Sequence, residues 1–167
     1  KTFIHTIRSC FYMNTCREFT VEAGRPDTID KEKLQAILEG GADRISINPQ
    51  TLNNSVLEVI GRRHTAEETL EAFALAREIG FRHINMDLIA GLPTDTPESF
   101  IQTLDKLCDL SPESITVHTL SMKRSSRLTL QGKELDTEKE SPAAAMLRYC
   151  EKKLTSTGYH PYYLYRQ

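Results

Sequence analysis

The chain has 167 residues, of which 39% are hydrophobic and 26% charged, with a formal net charge of −2. That balance describes an ordinary globular chain, long enough to bury a core in one domain over residues 1–167. It provides no basic surface for nucleic acid or an anionic membrane, and no apolar run approaches the roughly 20 residues of a spanning helix.

The first residues, Lys1-Thr2-Phe3-Ile4-His5, carry no initiator Met, basic n-region or cleavage site, and the sequence stops abruptly at Tyr165-Arg166-Gln167. Both ends are expected to be cut. Cys10, Cys16, Cys108 and Cys150 show no C-x-x-C spacing, and the five His residues show no i,i+4 pairing. Free thiols of a cytoplasmic protein are expected, with no metal ligand in the chain.

In chain order, Phe3, Ile4, Ile7 and Phe11 recur at helical spacing, and Glu18 to Glu22 then reads as a first strand closed by Ala23-Gly24. Asp30 caps a predicted helix with Leu34, Ile37 and Leu38 inward, ending at Gly40-Gly41. Arg44 to Asn48 predicts a second strand, broken by Pro49. Thr65 and Glu68 form a T-x-x-E capping box for a helix carrying Leu70, Phe73, Ala76 and Ile79. His83 to Ala90 is a third strand. Thr96-Pro97 opens a helix with Phe100, Ile101, Leu104 and Leu107 buried. Ser114 to Ser121 gives a fourth strand, and a polar segment covers Lys123 to Glu140. A helix through Ala143, Met146, Leu147, Tyr149 and Leu154 leads to a fifth strand at Tyr162 to Tyr165. Strand–helix–strand repeats with short loops mean parallel pairing with crossover helices, so the class is α/β. Five strands suit either an arc of a barrel or an open sheet, and are too few for a closed eight-stranded barrel.

Ligands of parallel sheets lie at the carboxyl ends of the strands. Here successive strands deliver Glu22, then Asn48 and Gln50, then Asn85 and Asp87. By alternation Thr20 and Glu22 share a face, as do Ser46 and Asn48, and Asn85 and Asp87. Buried carboxylates need partners, so this face implies either internal pairing or a bound ligand. Three polar strand ends in succession favour the ligand. Arg62 and Arg63, ahead of the capped helix, are either a carboxylate clamp or a solvated pair. His118 is expected as a core imidazole, and the tyrosines at 159, 162, 163 and 165 as packing residues. Neither G-x-G-x-x-G nor G-x-x-x-x-G-K-[ST] occurs, which removes the dinucleotide and P-loop readings.

Phe19-Thr20-Val21-Glu22-Ala23-Gly24-Arg25-Pro26-Asp27-Thr28, Ile45-Ser46-Ile47-Asn48-Pro49-Gln50-Thr51, Gly61-Arg62-Arg63-His64 and Asn85-Met86-Asp87-Leu88-Ile89-Ala90-Gly91-Leu92-Pro93 together carry a resemblance. They are similar, in order and spacing, to the middle of the radical S-adenosylmethionine (SAM) oxygen-independent coproporphyrinogen III oxidases, in the coproporphyrinogen dehydrogenase branch. The resemblance covers nearly the whole chain from Arg17 onward. It implies a partial (β/α) TIM-like barrel of the radical SAM type, of which residues 1–167 would be the C-terminal part, truncated at both ends. In that family a [4Fe–4S] cluster gives SAM an electron, and the 5′-deoxyadenosyl radical takes hydrogen from a propionate of a porphyrinogen substrate. Loss of carbon dioxide leaves a vinyl group. A flavodoxin or ferredoxin as electron donor is implied, with neither nucleic acid nor a membrane as partner.

Carried over position by position, the resemblance implies that Glu22, Gln50, Arg62, Asp87 and Ser121 bind SAM. The family's C-x-x-x-C-x-x-C cluster loop and glycine-rich SAM loop have no counterpart here, so the cluster ligands are expected outside this chain. The chain alone is therefore expected to be inactive, and to dimerise, aggregate or remain partly molten through its open sheet edge. A radical SAM relative with another substrate or a haem-chaperone role is the nearest alternative. A non-catalytic (β/α) binding domain is the reading from a different class.

Overall fold

The computed structural model describes residues 2–120 and 141–162. Its centre is a four-stranded sheet in the order β1 (Thr20–Gly24), β2 (Arg44–Gln50), β3 (His83–Ala90) and β4 (Ser114–Thr119). Every neighbouring pair is parallel. Successive strands are joined through helices, the usual crossover between parallel strands. Helix α1 (Thr2–Cys10) precedes β1, α2 (Lys31–Glu39) joins β1 to β2, and both α3 (Asn54–Val59) and α4 (Ala66–Ile79) lie between β2 and β3. Helix α5 (Pro97–Leu110) joins β3 to β4, and α6 (Pro142–Ser156) packs on α5.

Local chemistry sets the helix starts. The Asp30 carboxylate accepts the Lys33 N–H at 2.7 Å, and the Thr96 hydroxyl accepts the Ser99 N–H at 3.2 Å, with Pro97 at the first helical position. At α4 the capping box is complete: Thr65 Oγ1 accepts from Glu68 N at 3.2 Å, and Glu68 Oε2 accepts from Thr65 N at 2.8 Å.

Register gives the sheet two unlike faces. Ile45 pairs with Ile84, Ile47 with Met86, and Leu88 with Val117, and this side is covered by the helices. Ile45, Ile47, Ile84, Met86 and Leu88 are fully buried there, with Leu34, Phe100, Leu104 and Met146 from the helices. Each such burial contributes about 1.5–3 kcal/mol, so the outer face holds the fold together. On the opposite face Glu22 pairs with Ser46, Ser46 with Asn85, Asn85 with Ser114, and Asp87 with Thr116. A closed barrel would fill its interior with branched apolar side chains. This face of the open sheet carries amides, hydroxyls and acids instead.

Three elements differ from their sequence-based expectation. Strand β1 begins at Thr20 because Glu18 is turned to Arg44, which it meets at 3.0 Å, and Phe19 N bonds the Asp43 carboxylate at 2.9 Å. Strand β2 passes through Pro49 to Gln50. The ladder shifts register between Ile47 and Gln50, so the missing proline N–H costs no hydrogen bond. Helix α3 was not anticipated; Asn53 caps it by accepting from Ser55 N and Val56 N. Tyr162 lies in no strand, and most of the expected fifth strand, the polar segment over 123–140 and Ser121 lie outside the described residues.

Candidate functional site

The polar face is one connected hydrogen-bonded array across all four strands. Asn48 on β2 donates its amide to Glu22 Oε2 on β1 at 3.1 Å. Ser46 donates to Asn48 Oδ1 at 3.0 Å and accepts from Asn85 Nδ2 on β3 at 2.9 Å. The same Asn85 amide donates to Asp87 Oδ1 at 2.6 Å. Its carbonyl oxygen accepts from Ser114 at 2.7 Å and Thr116 at 2.9 Å, both on β4. Ser114 in turn accepts from the Arg44 guanidinium at 2.7 Å. The three hydroxyl groups and both amides are thus held by strand register rather than by loops.

Asp87 is half-buried, whereas Glu22 is exposed at the rim. Burial pushes the Asp87 carboxyl above the usual carboxylate range. The Asn85 hydrogen bond opposes that shift, the Glu22 charge adds to it, and His118 and Thr116 oppose it. His118 is therefore no core imidazole: it sits half-buried on β4, close enough to act on Asp87. Side-chain alternation alone could have shown this, since Ser114, Thr116 and His118 share a face.

Gln50 is 7% exposed, has φ of 70°, and its amide reaches back to the Asn48 carbonyl at 3.5 Å. A left-handed residue other than glycine at a strand end is uncommon and marks a conformation held by its surroundings. Arg62 lies half-buried in the loop between α3 and α4, with its backbone N–H on the Leu57 carbonyl at 2.9 Å. Its guanidinium makes no hydrogen bond or ion pair among the described residues. That loop is tied to β2 by His64, whose Nε2 meets the Pro49 carbonyl at 3.1 Å. Arg63 is exposed. Glu22 and Asp87 thus share one array, and Gln50 and Arg62 are fastened to the same end of the sheet. Asn48, Ser46, Asn85 and Ser114 complete the array, and the sequence singled out none of them as a partner of a particular acid.

Residues 15–107 match the sequence profile of the radical SAM superfamily. The chain belongs to that superfamily. Among relatives of this radical SAM chain, the oxygen-independent coproporphyrinogen-III oxidase-like protein HemZ of Bacillus subtilis is 46% identical over 161 residues, which is 96% of this chain and 32% of HemZ. The heme chaperone HemW of the same organism is 33% identical over 147 residues, covering 87% of the chain and 38% of HemW. Among solved structures, coproporphyrinogen III oxidase HemN from Escherichia coli, described as a radical SAM enzyme, superposes with a TM-score of 0.78 at 29% identity. The match covers 95% of this chain and 37% of that one. The chain therefore spans about a third of the length of these relatives, and its fold is part of the radical SAM α/β barrel.

Radical SAM proteins use SAM and a [4Fe–4S] cluster, and the two fit this chain differently. For SAM the donor set is suitable: carboxylate oxygens that can accept from hydroxyl and ammonium groups, and a half-buried guanidinium able to meet a carboxylate. The cluster does not fit. Among the described residues no group of three His, Cys, Asp or Glu side chains could hold a metal ion. Cys10 and Cys16 are exposed near the amino terminus, whereas Cys108 and Cys150 lie on α5 and α6. Burial pushes the Cys150 thiol up to about 12, far from the thiolate an iron ligand requires.

Proposed function

We propose that the polar face is the SAM-binding wall of a radical SAM oxidoreductase resembling oxygen-independent coproporphyrinogen III oxidase. The observation that carries this reading is the shared array that holds Glu22 and Asp87 as hydrogen-bond acceptors at the carboxyl ends of parallel strands. Amides donate to both acids, so each keeps acceptor capacity for a ligand rich in donors, such as ribose hydroxyls and an α-ammonium group. Arg62 supplies the complementary fork for the methionine carboxylate, and Gln50 an amide able to bond in either sense. Ser121, at a matching position beyond β4, completes the set.

SAM, when bound, supplies the 5′-deoxyadenosyl group of radical chemistry. The residues of this chain bind and orient it. The substrate we assign to the complete protein is a porphyrinogen, whose propionate side chains are oxidatively decarboxylated to vinyl in haem biosynthesis. Its setting is the cytoplasm, its electron donor a flavodoxin or ferredoxin, and its cluster ligands lie outside residues 1–167. These residues alone are inactive. The 46% identity to HemZ over nearly the whole chain supports this assignment.

The 33% identity to HemW favours one second reading, a haem-chaperone role in which SAM binding is retained without porphyrinogen turnover. The deciding experiment uses the complete protein under anaerobic conditions with SAM, a reductant and coproporphyrinogen III. Vinyl products establish the oxidase. Stoichiometric haem binding without decarboxylation establishes the chaperone. In either case titration calorimetry should find SAM affinity lowered at least about tenfold by Glu22→Gln or Asp87→Asn. Unchanged affinity in both variants would remove the SAM assignment.

A further inference from the structure

The array has a direction, and the direction follows from chemistry. It begins at Arg44, a guanidinium that only donates, and ends at Glu22 and Asp87, carboxylates that, ionised, only accept. Between those ends every link must therefore point the same way: Arg44 to Ser114, Ser114 to Asn85, Asn85 to Ser46 and to Asp87, Ser46 to Asn48, and Asn48 to Glu22. The orientation of both amides is fixed by this order, because an amide oxygen turned toward either acid would set acceptor against acceptor. Asn85 is the branch point. It is 5% exposed, and both N–H donors and both carbonyl lone pairs are used. Ser46, at 2% exposure, relays its bond toward Glu22.

We propose that Asn85 is a positioning residue that sets the placement and acceptor state of both carboxylates, Asp87 directly and Glu22 through Ser46 and Asn48. The inference rests on the reading that those carboxylates hold SAM, and adds to it which buried group organises them. Register explains why one residue can serve both: Glu22, Ser46, Asn85 and Ser114 occupy one rung across the sheet, and Asp87 stands one step along the same face. Asn85 need not touch the ligand. Its buried side chain acts through the oxygens it bonds.

The charged and titratable groups acting on Asp87 are Glu22 from β1 and His118 from β4, and the Asn85 donor favours its ionised form. Removing that donor therefore makes Asp87 harder to ionise, whereas loss of packing alone leaves its titration in place. SAM affinity of the complete protein should be measured by calorimetry from pH 5.5 to 9 for wild type, Asn85→Leu, Ser46→Ala, Glu22→Gln and Asp87→Asn. Asn85→Leu, of similar shape but lacking both N–H donors and adding no charge, is expected to weaken SAM about tenfold and move the acid limb of the binding profile to higher pH. Ser46→Ala cuts only the branch to Glu22, so it should weaken SAM about threefold without moving that limb. If Asn85→Leu does not fold, Ser46→Ala decides, and unchanged affinity there overturns the proposal. Wild-type affinity and an unmoved limb in Asn85→Leu, with Asp87→Asn still defective, would overturn the positioning role and leave the SAM site standing. Undisturbed affinity in both Glu22→Gln and Asp87→Asn would instead overturn the site reading beneath it.

Discussion

The His64 ring bonds the carbonyl of Pro49 through Nε2 at 3.1 Å, fastening the loop that carries Arg62 to the strand end that carries Gln50. The ring is 2% exposed, and its Nδ1 has no hydrogen-bond partner among the described residues. One side chain thus spans two segments whose side chains the proposed SAM site requires together.

Replacing His64 by Leu should cost about 1–3 kcal/mol in unfolding free energy, since the Pro49 carbonyl loses its buried donor. The KM for SAM should rise more than kcat falls, because the loop loosens while Arg62 remains present. His64→Gln, whose amide nitrogen reaches a similar position, should recover most of both. Denaturant melts and steady-state kinetics on the complete protein check this, and failure of the Gln variant to recover would point to ring packing instead.

Asp87 predicts a trade between stability and binding. Its folded carboxyl lies above the usual range, so the native state holds the proton more firmly than the unfolded chain. Stability then falls as pH rises from the ordinary Asp value through the raised one, and the cost is fully present above it. Asp87→Asn should accordingly raise the melting point at neutral pH and do little below the ordinary Asp value. Thermal melts at pH 3 and pH 7.5 would show the difference. Equal shifts at both would attribute the gain to something other than charge.

Helix α4 depends on its capping box. Thr65→Ala removes the oxygen that accepts the Glu68 N–H, and leaves Glu68 with only its return bond to the Thr65 backbone. A loss of about 1 kcal/mol is expected. Because the residue directly follows His64, hydrogen exchange should rise first in the amides of residues 61–69 rather than across the sheet.

Gly91 closes β3 with φ of 82°, and a Cβ there would meet the Ala143 Cβ of α6 at 3.0 Å. Its N–H also points at the Met146 sulfur at 3.2 Å. Gly91→Ala combines left-handed strain with a helix displaced by a few tenths of an ångström, and should destabilise by about 1–3 kcal/mol. The same change at Gly61, also at positive φ but with nothing within 4 Å among the described residues, should cost only the backbone strain. Paired melts of the two variants separate strain from crowding.

Much of the architecture was legible because its signals are local. Asp30, Thr65 with Glu68, and Thr96-Pro97 each announce a helix within four residues, and His83 to Ala90 alternates cleanly enough to give β3 its full bounds. Alternation also put Glu22, Asn48, Asn85 and Asp87 on a common side. Their bonding was not legible. Asn85 meets Ser46 across 39 positions and Ser114 across 29, and only the register of three strands decides such pairs. Pro49 misled because proline usually ends a strand, whereas here a register shift frees the position from the ladder. The Asn53 cap of α3 was visible in principle, followed by Val56, Leu57 and Ile60, but six residues give too short a period to stand out.

The unlike faces of the sheet bear on what happens when a ligand leaves it. A lumen lined with oily side chains can collapse when its occupant departs. One lined with acids, amides and hydroxyls must hydrate, and the departing molecule is exchanged for ordered solvent. In the proposed site, association of SAM is then a swap of partners more than a burial of oil. Its heat-capacity change should be small for the area covered, and its affinity should follow how faithfully the newcomer reproduces the bonds that water had made.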